Sequence, residues 1–216
     1  MDAVLAEMLK LYELIDYPQA NRYELERRIN TIIRFASETN SMVALFENLS
    51  DKPIYLSDEY RLSVLDKYGV IHPDDCYNVI NSLVILLYYI KSRNLNFANY
   101  KLIGKYRAKL KGTYFVVIEN LRSFESDSKG KPLLYLVMLD IAASQTIPYA
   151  VEFKLLNLIT GEVIIPSEEL YLDNDSVRTS KEIINQFYQA DKSDFGQYGG
   201  FGLGHEVIKK MMDMLN

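Results

Sequence analysis

The stretch YKLIGKYRAKLKGTYFVVIENLRSF, Tyr100 to Phe124, decides the fold. From Tyr100 to Leu110 the residues alternate with period two. Lys101, Lys105, Arg107, Lys109 and Lys111 fall on one face, and Tyr100, Leu102, Tyr106, Ala108 and Leu110 on the other. Lys111-Gly112-Thr113 reads as a tight turn into a second strand, Tyr114 to Phe124, rich in β-branched and aromatic residues. Asp127-Ser128-Lys129-Gly130-Lys131-Pro132 is a second turn, into an apolar strand from Leu133 to Ile141. Three long strands joined by hairpins must run antiparallel, with helices on one face of the sheet.

Upstream, Met42 to Phe46 and Ile54 to Leu56 read as short strands around the turn-rich Asn48-Leu49-Ser50-Asp51. Ser57-Asp58-Glu59 caps a short helix through Leu65, which Tyr68-Gly69 ends. His72-Pro73-Asp74-Asp75 opens a long helix, because proline suits the first turn and aspartates complement its positive end. That helix carries the apolar run Val79 to Ile90 and stops near Ser92-Arg93-Asn94.

The first forty residues predict two helices. Val4, Leu5, Met8, Leu9, Leu11, Tyr12 and Ile15 form one stripe, and Pro18 interrupts it. Tyr23, Leu25, Ile29, Ile32, Ile33 and Phe35 form a second, with Glu24, Glu26, Arg27 and Arg28 on its exposed side. The pair either packs on its own chain or serves as a dimerisation element. The chain thus divides into a helical segment over 1–40, a mixed domain over 41–147 and an acidic tail over 148–216 with short strands and two helices.

Composition narrows the function classes. The 216 residues are 49% hydrophobic and 25% charged, a globular balance. Lysine and arginine number 24 against 29 acids, a net charge of −5, which gives the whole molecule no footprint for nucleic acid. A single cysteine, Cys76, excludes an internal disulfide framework and suits a reducing compartment; it reads as a buried, inert thiol. Two histidines, His72 and His205, leave little room for a metal centre. The N-terminus lacks the pattern of a signal peptide, and the apolar patch Leu83 to Ile90 is far short of the ~20 residues that span a bilayer. A cytoplasmic protein without membrane partners is expected.

These residues resemble a PAS-type sensory domain. Ile71-His72-Pro73-Asp74-Asp75 is similar to the "HPDD" that opens a helix in many such domains, and Tyr106-Arg107 with Lys111-Gly112-Thr113-Tyr114 to the words across the central hairpin. Asp127 to Pro132 resembles the "D-x-x-Gkp" turn and Leu139-Asp140-Ile141 the closing "DI", so the likeness runs from about Ser41 to Ser144. It implies an α+β fold: a PAS-like five-stranded antiparallel sheet with flanking helices, here with an N-terminal helical pair and a helical C-terminal tail. A narrower similarity is to LuxR-type regulators with an N-terminal PAS-like domain and a C-terminal helix-turn-helix. It rests on Tyr100-Lys101-Leu102-Ile103 through Arg107, Val117-Ile118-Glu119, Leu155-Leu156-Asn157-Leu158 and Thr160-Gly161-Glu162. Ser180-Lys181-Glu182-Ile183 echoes that second domain, but its threonine-histidine recognition-helix motif is missing. From Pro148 to Asn216 six bases face eleven acids, so the tail would approach phosphates against its own field.

The tail also resembles the last boxes of a sensor histidine kinase ATP-binding domain. Phe187 to Ser193 matches "FyqaDkS", and Gly199-Gly200-Phe201-Gly202-Leu203-Gly204 matches the glycine box. On that alternative Gly199, Gly200, Gly202 and Gly204 cradle the phosphates of ATP with magnesium, as glycine-rich turns ahead of helices do. Too few residues follow the PAS-like region for a whole kinase. Thr160 to Pro166 is only faintly like the adenine-reading box, whose aspartate is absent, and no phosphoacceptor histidine presents itself.

Tyr106, Tyr114, Val116, Ile118 and Tyr135 are the candidates to line a ligand cavity beneath the sheet, or else pack its core. Asp74 and Asp75 are read as helix-capping residues and His72 as a turn residue. The basic face from Lys101 to Lys111 either binds an anionic ligand or partner or is simply solvated. No catalytic arrangement emerges and no cofactor is required. The expectation is a non-enzymatic, homodimeric sensing or dimerisation module of a bacterial regulator, responsive to a small molecule. Its alternatives are a degenerate nucleotide binder and a DNA-binding regulator with a divergent C-terminal domain.

Overall fold

The computed structural model describes residues 19–47, 53–64, 71–127, 132–145 and 150–166. In chain order these give α1 (Gln19–Thr39), β1 (Met42–Glu47), β2 (Pro53–Leu56), α2 (Asp58–Val64) and α3 (Pro73–Ser92). A 3-10 turn at Phe97–Asn99 then leads into β3 (Tyr100–Leu110), β4 (Thr113–Ser126), β5 (Pro132–Ile141), β6 (Glu152–Asn157) and β7 (Val163–Ile164). The protein is α+β. Its strands form one antiparallel sheet in the order β2-β1-β5-β4-β3-β6-β7.

The sheet has seven strands among the described residues, not the expected five. The two extra strands come from the segment read as a separate acidic tail. Glu152 to Asn157 alternates, placing Phe153 and Leu155 in the core, and pairs with the free edge of β3. Short strands are expected in that segment, but as part of a separate tail and not of the sheet. The sheet therefore continues past the boundary drawn at residue 147. The first predicted helix, the end of the short helix at Leu65 and everything beyond Pro166, including the tail helices, lie outside the described residues. Of the N-terminal helical pair, α1 is the described member.

Burial along β3 alternates without a break, because each inward residue faces helices while each outward one does not. Its turn into β4 consists of Lys111 and Gly112, both at positive φ (49° and 85°), the geometry that matches the twist of a two-residue hairpin. On the inner face Leu102, Tyr106, Val117, Leu121, Val137 and Leu139 pack against Val79, Leu83 and Leu86 of α3. On the outer face α1 lays Leu25, Ile29 and Ala36 over Val43, Leu45, Leu134, Leu136 and Phe124, so this helix packs on its own chain. Arg28 of α1 fastens the contact, with its guanidinium 2.7 Å from Glu125 and 4.5 Å above the Phe124 ring.

Ser57 caps α2 as its sequence predicts. Its Oγ accepts the Tyr60 backbone N–H at 3.2 Å and the Val43 N–H at 3.0 Å, locking α2 to β1. At α3 the His72 Nδ1 accepts the Asp74 N–H at 3.2 Å, with Pro73 in the first turn.

Candidate functional site

The inner face of the sheet holds an acid among aromatics. Glu119 lies opposite Gly104 across the β3–β4 ladder and shares the inward parity of Val117 and Leu121. Tyr106, two residues along β3, donates its hydroxyl to Glu119 Oε2 at 2.8 Å. Tyr60, which the Ser57 cap directs into the same core, is buried at 7% exposure, and its hydroxyl has no hydrogen-bond partner among the described residues. No cation pairs with Glu119 among the described residues.

Aromatic rings wall this cluster. Phe153 stacks on Tyr106 with centroids 6.2 Å apart, Phe46 meets Tyr60 edge-on at 6.4 Å, and Phe97 meets Tyr135 at 6.1 Å. Gly104 makes the arrangement possible: a Cβ there would stand 2.7 Å from Phe153 Cε1, so only a bare backbone lets the ring lie down.

Electrostatics follow from the enclosure. Burial raises the Glu119 carboxyl above its usual range, and the hydrogen bond from Tyr106 opposes that shift. Burial also raises the Tyr106 phenol, reinforced by the charge and hydrogen bond of Glu119, and it raises Tyr60 in the same way, with the charge of Glu119 adding to it. Two phenols that keep their protons thus face an acid that resists losing its own. The arrangement can offer donors and an acceptor to a polar group, but it contains no nucleophile–base pair.

A second acid is placed differently. Asp75, 4% exposed, accepts the Arg107 backbone N–H at 2.8 Å and the Arg107 guanidinium at 2.6 Å. Sequence reasoning made Asp75 a capping residue; in the fold it ties the start of α3 to β3. Asp74 stays exposed, within 3.6 Å of both His72 Nδ1 and Arg107. Cys76 is half-buried, with its Sγ 3.9 Å from the Ile71 carbonyl, and burial raises its thiol.

The five residues predicted to line a cavity do not share a face. Tyr106 and Tyr135 point into the helix-covered core. Val117 is the register partner of Tyr106, so its neighbours Val116 and Ile118 point the opposite way, as does Tyr114. Tyr114 sits edge-on to the His72 ring at 4.5 Å, and the Val116 backbone is bound by the Gln145 side chain at 2.9 Å. Counting from the hairpin with the wrong parity along β4 produced that error. The sequence reading missed Tyr60 and Glu119. An acid at inward spacing between Val117 and Leu121 was the available signal for Glu119; Tyr60 needed the tertiary fold.

Of the basic face, Arg107 is held by Asp75, and Lys111 pairs with Glu59 at 3.2 Å. Thr160-Gly161-Glu162 forms the β6–β7 turn, where Asn157 Oδ1 accepts two backbone N–H groups and Gly161 takes φ 76°. The glycine box, Gly199 to Gly204, lies outside the described residues. Among the described residues no three metal-ligating side chains converge, and no helix is long and apolar enough to cross a membrane.

No protein-family model matches this chain. No curated protein is similar to it either. Among solved structures, it is similar to a sensory box histidine kinase/response regulator from Burkholderia thailandensis E264, at 15% identity and a TM-score of 0.33, over 70% of this chain and 95% of that one. A likeness this slight bears on neither ligand nor activity.

Proposed function

We propose that this chain is a non-enzymatic, cytoplasmic sensory module of PAS-like architecture in a signal-transduction protein. A small ligand is read on the helix-covered face of the sheet, where Tyr60, Tyr106 and Glu119 meet. The order of elements supports this reading: two short strands, helices, then three long antiparallel strands, as the resemblance implies. The single observation behind the site is Glu119, a half-buried carboxyl with one phenol donor and no cation among the described residues, beside a buried phenol that has no hydrogen-bond partner among them. Buried polar groups without partners are rare in folded proteins unless a ligand or water completes them.

A sensor must couple occupancy to a second state that binds the ligand differently. The route out of this site is short. Glu119 and the outward residues beside it share β4 with Phe124 and Glu125, which grip α1 through Arg28. In the proposed mechanism, occupancy shifts β4 and with it α1, changing the geometry of a homodimer that regulates transcription or a partner kinase.

The test is a thermal-shift survey of small polar metabolites on the full chain, followed by solution scattering of each hit. The reading expects a compound that stabilises the wild type, loses at least tenfold in affinity for Glu119→Gln, and changes the dimer's scattering profile. A compound that binds both proteins equally, or binds without altering dimer geometry, would overturn it.

A further inference from the structure

The outer face of the sheet is covered by α1 over β1, β5 and the end of β4, and α1 makes its buried contacts there. Past β4 the same face continues as a three-by-three grid set by the register. Ile118, Asn120 and Arg122 of β4 lie beside Lys105, Ile103 and Lys101 of β3. These in turn lie beside Glu152, Lys154 and Leu156 of β6. Val163 of β7, 54% exposed, extends the grid next to Leu156.

Ile103, Ile118 and Leu156, all half-buried, run diagonally across this half-face, with cations on both sides of the diagonal. Lys101, Lys105, Arg122 and Lys154 have no carboxylate partner among the described residues, and Glu152 is the one acid of the grid. Lys101 and Arg122 stand directly opposite each other, a like-charge pairing that destabilises a ladder. Four cations without a carboxylate partner among the described residues, flanking an apolar diagonal in a chain of net charge −5, point to an anionic, amphipathic occupant. A second copy using the same face would set cation against cation. A nucleic acid would leave the apolar diagonal unused.

The sequence contains a matching segment. Residues 1–18 carry Asp2, Glu7, Glu13 and Asp16 against the single base Lys10, around the stripe Val4, Leu5, Met8, Leu9, Tyr12 and Ile15. The first described residue of α1, Gln19, follows directly on this segment. Along α1 the contacts move from Ile54 of β2, near Ala36, to Phe124 and Glu125 of β4, at Arg28. From Arg28 back to Gln19 the axis advances roughly 13 Å at ~1.5 Å per residue, while strands are ~4.8 Å apart. The helix therefore begins on the β3–β6 side.

We propose that the outer face of β4, β3 and β6 is the docking surface for residues 1–18 of the same chain. Apolar contact runs along the diagonal of Ile118, Ile103 and Leu156, and the four acids meet Lys101, Lys105, Arg122 and Lys154. Docking there links the N-terminus to the sheet and is weakened by salt.

Zero-length carbodiimide coupling of the full chain, followed by peptide mass mapping, tests this. Amide links are expected between Lys101, Lys105 or Lys154 and Asp2, Glu7, Glu13 or Asp16 within single chains, falling several-fold in 1 M salt as exposed charges are screened. Three results would overturn the proposal: links from these lysines chiefly to acids of residues 167–216, links chiefly between two chains, or no links although the same lysines acetylate readily.

Discussion

Two carboxylates that meet β3 are treated in opposite ways. Asp75 receives a guanidinium and a backbone N–H, so nearly all of its acceptor capacity is used and α3 is tied to β3. Glu119 receives one phenol, no cation among the described residues, and raised neighbouring phenols that keep their protons. The first is an acid satisfied by its own fold. The second is an acid the fold leaves incomplete, which is what a site awaiting a ligand requires. Asp75 is the more buried of the two and also the better partnered.

The sharpest way to break this comparison is to remove Asp75. Asp75→Ala removes the acceptor of the Arg107 backbone N–H and the close partner of its guanidinium, in a site where the two side chains are 6% and 19% exposed. Breaking a buried pair from one side costs about 3–5 kcal/mol, and equilibrium unfolding in denaturant should show a loss of that size. Gly104→Ala comes next. Its Cβ would collide with the Phe153 ring at 2.7 Å, and overpacking of this kind costs about 1–3 kcal/mol. Thermal unfolding should register it, together with a changed near-ultraviolet signal from the displaced Tyr106–Phe153 stack.

Tyr106→Phe is the smaller change that sharpens the comparison. It deletes the one donor to Glu119 while preserving the ring stack, and a loss of about 1 kcal/mol is expected in the same denaturant assay. A loss matching that of Asp75→Ala would mean that the two acids are equally structural, and the distinction between them would fall.

Much of this fold was legible because its signals are local. The two-residue periodicity of Tyr100 to Leu110 predicted the inward and outward faces of β3, and Lys111-Gly112 predicted the turn, since positive φ favours glycine. Ser57 and His72-Pro73 announced the starts of α2 and α3 through caps that act within four residues. The site was less legible because it depends on pairing across strands. The choice of Val116 and Ile118 failed on parity, which the β3–β4 register sets. Asp75 reads as a cap until Arg107 is brought to it from 32 residues away. That the short strands of the tail would join the sheet was not legible, because β6 pairs with β3, some fifty residues upstream, and nothing within its own six residues names that partner.

The most direct test of the central claim, that Glu119 is the unsatisfied acid of the sensory face, is the pH dependence of unfolding for wild type and Glu119→Gln. The Glu119 carboxyl is raised in the folded protein, chiefly by burial. Its favourable contribution is therefore full below the unfolded carboxyl pKa, about 4.3, and is lost as pH rises through the folded value. Glu119→Gln keeps an acceptor for Tyr106 but has no proton to lose. The expected result is that wild type loses stability relative to Glu119→Gln as pH rises from about 4 toward neutrality. Parallel curves across that range, or a variant that is less stable at neutral pH by as much as at acid pH, would contradict it.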